Sequence, residues 1–252
     1  MNSMKHILGQ MRRADHDYHL IEDGDRIAVG LSGGKDSSLL IYSLYIYQKL
    51  AEKSLGKRFE ILGIHIDLNF GEEDFTPLWN FLDRYQIPYV AEKSRIADIL
   101  GLYLKDGKVQ CSRCSQLKKG AVIKTAKENG CNKIAYGHHA DDAIETLLLN
   151  MIYGAKIASF EPNMYLSRED IRLIRPFIYC EEKDILKTVK SLEVPRLKSG
   201  CPVDGKTKRT EMKELLKKIE HDYPGAKKNL LTSLTNTAQA ALWQRSEEND
   251  PE

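Results

Sequence analysis

Arg26-Ile27-Ala28-Val29-Gly30-Leu31-Ser32-Gly33-Gly34-Lys35-Asp36-Ser37-Ser38-Leu39-Leu40 is the stretch that decides the fold. Ile27, Ala28 and Val29 are small or β-branched and apolar, the composition of a buried strand. Ser32 to Ser37 is a tight polar turn. Beyond it Leu39, Leu40, Ser43, Leu44, Tyr47 and Leu50 recur at helical spacing, so an amphipathic helix is expected from Asp36 onward. A strand, a glycine turn and a helix N-terminus gather free backbone N–H groups and the positive end of the helix dipole at one point. That arrangement suits a phosphate. Gly33 and Gly34 let the backbone approach an anion closely, and Ser32, Ser37 and Lys35 add donors and charge.

The same alternation continues outward. Phe59 to Asp67 reads as a second strand that ends in His65, Asp67 and Asn69, polar residues at the edge where open α/β sheets bind ligands. A helix from Pro77 to Tyr85 and a strand from Ile87 to Ala91 follow. Ile96 to Lys108 has no clear reading. Gln116 to Asn129 is helical and is stopped by Gly130. Lys133 to Tyr136 is a fourth strand running into Gly137-His138-His139-Ala140-Asp141-Asp142. Then come a helix from Ala143 to Tyr153, a strand from Ile171 to Ile178 and a helix from Glu181 to Leu192. The pattern predicts a doubly wound, mostly parallel sheet with helices on both faces. Residues 1–24 are expected to hold a basic helix and a turn, and 25–195 the α/β domain. Residues 196–246 would carry a cysteine loop and a C-terminal helical appendage (helices near Thr210 to His221 and Ala226 to Arg245), and 247–252 a disordered tail.

With 252 residues, 42% hydrophobic and 29% charged, the composition is that of an ordinary soluble globular protein. The net charge of +2 does not announce a nucleic-acid partner, although Lys198 to Lys228 is rich in Lys and Arg and the end of the chain is acidic. No apolar run is long enough for a membrane span, and Met1 to Tyr18 is too polar for a signal peptide, so no membrane partner and a cytoplasmic location are expected. Five cysteines in such a compartment argue for metal or redox chemistry rather than a disulfide framework.

Cys111-Ser112-Arg113-Cys114 is a pair whose spacing lets two thiolates face one metal. Cys201, in a loop bounded by Gly200 and Pro202, is the natural third ligand. Zinc, an iron–sulfur cluster with one iron left open, and a redox pair all remain compatible with that spacing. Cys131 and Cys180 sit at strand ends and read as buried structural thiols. Asp141 and Asp142 open a helix, where they serve as caps or, near a phosphate loop, as Mg²⁺ ligands together with Asp36. Gly137 and His138 fall at the same strand end, and His138 and His139 either orient a substrate or simply pack.

The phosphate loop is neither a Walker loop, since Asp36 follows Lys35, nor a dinucleotide fingerprint, since Gly30, Gly33 and Gly34 have the wrong spacing. Ser-Gly-Gly-Lys-Asp-Ser after a strand resembles instead the PP-loop of the ATP pyrophosphatases. GDRIAVGLSGGKDS, CSRC with the basic stretch QLKKGAVIKTAKENG, IAYGHHADDAIETLLLNMIYG and IRPFIYCEEKDI together resemble the PP-loop tRNA thiolases, most closely the tRNA 2-thiocytidine synthases. The resemblance implies an adenine nucleotide alpha-hydrolase-like fold, ATP with Mg²⁺, and a [4Fe–4S] cluster on Cys111, Cys114 and Cys201. It implies tRNA as partner, a homodimer, and a sulfur donor such as a cysteine desulfurase or free sulfide. Ser32, Gly33, Gly34, Lys35, Asp36 and Ser37 would hold the nucleotide, helped by His65 and Asp67. The expected chemistry adenylates the C2 oxygen of a cytidine (position 32 of the anticodon loop) and replaces it with sulfur, giving 2-thiocytidine, AMP and pyrophosphate. Asp142 or Asp141 would hold Mg²⁺ or position the reacting groups. Lys118, one helical turn after Cys114, would stabilise the developing oxyanion. Thiolation of uridine, amine ligation of the lysidine type, and a non-catalytic ATP or redox sensor are the rival expectations.

Overall fold

The computed structural model describes residues 2–68, 74–101, 111–197, 208–239 and 242. Its elements are α1 (Asn2–Tyr18), β1 (Arg26–Leu31), α2 (Lys35–Leu55), β2 (Glu60–Asp67), α3 (Thr76–Arg84), β3 (Tyr89–Lys93), α4 (Ile96–Gly101) and α5 (Cys111–Glu128). They continue with β4 (Lys133–Ala135), α6 (Ala140–Gly154), β5 (Asn163–Leu166), β6 (Ile171–Ile174), α7 (Glu182–Ser191), α8 (Lys208–Asp222) and α9 (Ala226–Ser233). The strands form one sheet in the order β3-β2-β1-β4-β6-β5. All neighbours are parallel except the edge pair β5 and β6. The expected doubly wound, mostly parallel sheet is therefore present.

Strand alternation sorts the core onto two faces. Ile27, Val29 and Leu31 of β1 join the layer built with α1, α2, α3 and α7. Ala28, with Leu62, Ile64 and Ile66 of β2 and Ile134 of β4, faces α4 and α5. Met4, Ile7, Met11 and Ala14 recur along one stripe of α1 and are buried in the first layer, so this basic helix belongs to the same core as the strands. Asp15 fastens it by accepting from Ile21 N at 2.8 Å and from Tyr47 Oη at 2.7 Å.

β1 has β2 on one side and β4 on the other, and the chain winds away in opposite directions from this point. The crevice above the C-terminal ends of β1 and β4 is the topological switch point, where ligands bind in such sheets.

Several boundaries differ from the sequence reading. β3 begins at Tyr89 rather than Ile87, after Pro88, whose carbonyl accepts from Gly63 N at 2.9 Å. β6 stops at Ile174 because Pro176 brings no N–H to the ladder. β5 was not expected: four residues after Pro162 give too short a run for a period-2 signal. α9 ends at Ser233, where Ser, Thr and Asn favour turns over a continuing helix. α5 begins at Cys111, so the CxxC motif forms its first turn rather than preceding it. Cys131 and Cys180 are buried, as read.

Candidate active site

The turn after β1 is braced by its own side chains. Ser32 Oγ accepts from Gly34 N at 3.3 Å, Ser37 Oγ donates to Gly34 O at 3.1 Å, and the two hydroxyls lie 3.1 Å apart. Gly33 adopts φ +74°, and a Cβ there would also come within 3.0 Å of Leu197 and 3.1 Å of Phe75. The N-cap position of α2, Gly34, supplies no side-chain cap, so the helix presents its first N–H groups to a ligand. In the turn after the neighbouring strand β4, a Cβ on Gly137 would sit 2.9 Å from the carbonyl carbon of Asp36. Glycine there lets the β4–α6 turn press against the start of α2.

These two turns form the floor of a cleft of about 470 Å³. Gly30, Leu31, Ser32, Asp36 and Ser37 line one side, Tyr136, Gly137, His138 and Asp142 the next. Ser115, Lys118, Lys119 and Val122 of α5 close the third, and Arg175 stands beyond β6. Lys35, expected at the phosphates, turns away from this space. Its Nζ pairs with Asp36 Oδ2 at 2.9 Å and Glu182 Oε1 at 3.1 Å. Burial works against its charge, but those two carboxylates outweigh it and hold the Lys35 pKa above the ordinary lysine value. His65 and Asp67 also lie outside the cleft wall, to which β2 contributes Ile66 between them. His65 is buried with Nδ1 3.0 Å from Leu31 O and its ring 3.9 Å from that of Phe75, bracing β1.

The Gly137-to-Asp142 turn divides its work. His139 is the N-cap of α6: its Nδ1 accepts from Asp142 N, and Asp142 Oδ2 accepts from His139 N at 2.9 Å, a reciprocal capping box. Asp141 is buried away from the cleft, accepting from Glu182 N at 2.7 Å and Lys227 Nζ at 2.5 Å. Burial alone would raise its pKa, but Lys227 and the Glu182 amide bring it below the usual carboxylate value. Asp142 reaches the cleft, and its Oδ1 accepts from Arg209 Nη2 of α8 at 2.9 Å. Among the described residues Asp36 Oδ1 is buried with no hydrogen-bond partner; His139 Nε2 stands 3.9 Å away. Burial drives the His138 pKa down to about 4, with Asp142 opposing and Arg175 and Arg209 adding to the fall, so His138 is neutral near pH 7.

Cys111 and Cys114 lie one turn apart at the start of α5, the end nearest Ser115 and Lys118 in the cleft wall. Cys114 is half-buried against the second core layer. The Cys111 side chain and all of Cys201 lie outside the described residues. The described flanks of the Cys201 segment both meet the site: Leu197 N donates to Gly33 O at 2.9 Å, and Arg209 holds Asp142.

The PP-loop domain family matches residues 4–199. A tRNA-cytidine(32) 2-sulfurtransferase of Geotalea uraniireducens is 37% identical over 95% of this chain and 94% of its own length. Proteins of that name from Geobacter metallireducens (35% identity, 92% of this chain, 90% of that one) and Ralstonia pickettii (37%, 92% and 73%) align as well. The chain belongs to the PP-loop tRNA sulfurtransferases. The solved U34-tRNA thiolase NcsA from Methanococcus maripaludis with its [4Fe-4S] cluster shares the fold, with TM-score 0.73 at 22% identity over 92% of this chain and 78% of that one.

For a sulfurtransferase, the donors present fit the groups that the family implies. Cys111 and Cys114, three positions apart in α5, supply soft thiolate ligands of the kind suited to iron–sulfur. The orphan Asp36 Oδ1 is a hard oxygen at the phosphate side, suited to Mg²⁺, which takes one or two carboxylates and completes its shell with phosphates and water. Among the described residues no three His, Cys, Asp or Glu side chains are clustered as a metal cage. Sequence reading passed over Arg175, Tyr136, Ser115 and Lys119. Arg175 carries a usable signal: it follows β6 immediately, at the ligand edge of the sheet.

Proposed function

We propose that this sulfurtransferase thiolates C2 of a cytidine in the tRNA anticodon loop, position 32 being the one in its relatives' names. One observation carries the reading: the PP-loop and the CxxC helix α5 wall the same cleft. A poor leaving group, the C2 oxygen, must be activated before sulfur replaces it. That oxygen attacks the α-phosphate of ATP, pyrophosphate leaves, and a C2–O–AMP adduct forms. Sulfide adds at C2, and AMP departs with the original oxygen.

The N–H groups of Gly34 and the first turn of α2, with Ser32 and Ser37, hold the departing pyrophosphate and offset its charge. Asp36 and Asp142 would hold Mg²⁺, which when bound would neutralise charge on the phosphates; Asp142 Oδ1 here accepts from Arg209 Nη2. Lys118 reaches the cleft from the same helix face as Cys114 and stabilises charge on the oxygen at C2. Asp141 has no part in this chemistry. A [4Fe–4S] cluster on Cys111, Cys114 and Cys201 would, when bound, present one iron without a protein ligand to exogenous sulfur. The working form is a homodimer in the cytoplasm, supplied by a desulfurase or free sulfide.

The test is anaerobic reconstitution with iron and sulfide, then incubation with unmodified tRNA, ATP, Mg²⁺ and sulfide, with mass spectrometry of digested nucleosides. 2-Thiocytidine is expected, with AMP and pyrophosphate in equal amounts. A thiouridine moves the target to the other pyrimidine. Bound ATP with no sulfur product overturns the reading in favour of a sensor.

A further inference from the structure

Arg175 is buried in the cleft wall, and no carboxylate pairs with its guanidinium among the described residues. Its Nη1 donates to Glu161 O, its guanidinium carbon lies 4.6 Å above the Phe160 ring, and its Nε donates to His138 Nδ1 at 3.3 Å. The His138 ring rests 5.1 Å from the same Phe160 ring and 5.8 Å from Tyr136. A guanidinium has donors and no acceptor, so Nδ1 must accept. A neutral imidazole that accepts at Nδ1 carries its proton on Nε2. Backbone, aromatic ring and guanidinium together leave His138 one tautomer.

We propose that Arg175 is a positioning residue that fixes His138 as the Nε2–H tautomer, and that this donor reads the target base as cytosine rather than uracil. The inference rests on the cytidine reading above. C2 must reach both the α-phosphate over the PP-loop and sulfur arriving from α5, so the base occupies the space these walls share, which His138 lines. The edge of cytosine offers acceptors at O2 and N3. Uracil places a donor, N3–H, beside its O2. A fixed Nε2–H facing N3 completes a hydrogen bond with cytosine, whereas with uracil two donors meet and both stay unpaired. A site built on a hydrogen bond rejects the base that cannot make it far better than an apolar pocket rejects an isostere.

The first measurement is long-range ¹H–¹⁵N NMR of the full chain labelled in histidine, with His138 assigned by its loss in His138→Phe. A bare Nδ1 and protonated Nε2 are expected, retained in Arg175→Lys and replaced by a tautomer mixture in Arg175→Met. Protonation on Nδ1 in the wild type overturns the proposal without any variant. The second measurement compares two tRNA transcripts that differ only in cytidine or uridine at the target position. The cytidine-over-uridine ratio of kcat/KM should fall about tenfold or more in His138→Phe and Arg175→Met, with Arg175→Lys recovering most of it. An equal loss on both transcripts marks a structural role and overturns the specificity claim. A wild type that thiolates neither transcript overturns the cytidine reading itself, which the NMR result does not depend on.

Discussion

Asp141 and Asp142 are sequence neighbours that the helix sends apart, since successive positions turn by about 100°. Asp141 faces Lys227 and the Glu182 amide inside the protein, and Asp142 faces the cleft. Their asparagine variants should therefore fail differently. Asp141→Asn leaves Lys227 without its partner and costs about 3 kcal/mol in urea unfolding, with thiolation per folded molecule changed less than tenfold. Asp142→Asn should lower single-turnover thiolation by about a hundredfold or more, with a stability loss of only about 1 kcal/mol from the weakened capping box. Glu182 sets the acid limit of the same corner. Burial pushes its pKa up, but Lys213 and Lys35 outweigh that and bring it to about 2 from the model-peptide 4.5. A folded pKa below the unfolded one means that the stabilisation is complete above about pH 4.5 and disappears as pH falls toward 2. Melting curves between pH 6 and 2.5 should show this slope in the wild type and a shallower one in Glu182→Gln. Identical slopes would remove Glu182 from the account.

At the scale of elements, the site depends on how closely two turns approach. The β4–α6 turn touches the start of α2 only because residue 137 has no side chain. Gly137→Ala inserts a methyl 2.9 Å from the Asp36 carbonyl carbon, a separation that requires backbone movement. The expected result is an ATP affinity at least about tenfold weaker by calorimetry, with a melting point lower by about 3 to 6 °C for a stability loss of 1–2 kcal/mol. Unchanged ATP binding would show that the two turns tolerate separation. The C-terminal helices meet the same corner from outside. Met212 and Leu216 of α8 pack on Ile144 and Leu148 of α6, while Arg209, Lys213 and Lys227 pair with Asp142, Glu182 and Asp141. Removing the basic group of Arg209 leaves the buried Glu145, whose pKa burial and Asp142 already raise, without its cation. Arg209→Ala should thus loosen α8, seen as faster amide exchange confined to α8 and the first turn of α6.

Across the whole molecule, what could be read in the sequence was whatever local chemistry writes locally. β-Branched runs, the glycine turn and helical periodicity gave five of the six strands among the described residues and the PP-loop, because each is decided within a dozen residues. What escaped depends on distant partners. Lys35 of the PP-loop pairs with Glu182 of α7, and His65 is enclosed by Leu31 and Phe75, contacts that no local pattern announces. Arg175 follows β6 directly, which is a local signal, but its place in the cleft wall comes from β6 lying beside β4. Lys133 is the extreme case: a lysine at the N-terminal end of a strand, with no local pattern to single it out. It is 2% exposed, with Nζ 2.8 Å from Asp25, 2.9 Å from Glu22 and 3.2 Å from Leu20 O. This knot lies at the sheet edge opposite the cleft, joining β4 to the segment that links α1 and β1. Lys133→Ala strands the buried Asp25 carboxylate and should cost about 3–5 kcal/mol. Replacing both partners, Lys133→Met with Asp25→Asn, should recover part of that loss, since two uncharged groups need less solvation than one lone charge. Urea unfolding of the single and double variants decides this. A double variant less stable than Lys133→Ala would mean that the Asp25 carboxylate is not stranded but held by its remaining donors, Glu22 N at 2.6 Å and Asn132 Nδ2 at 2.7 Å.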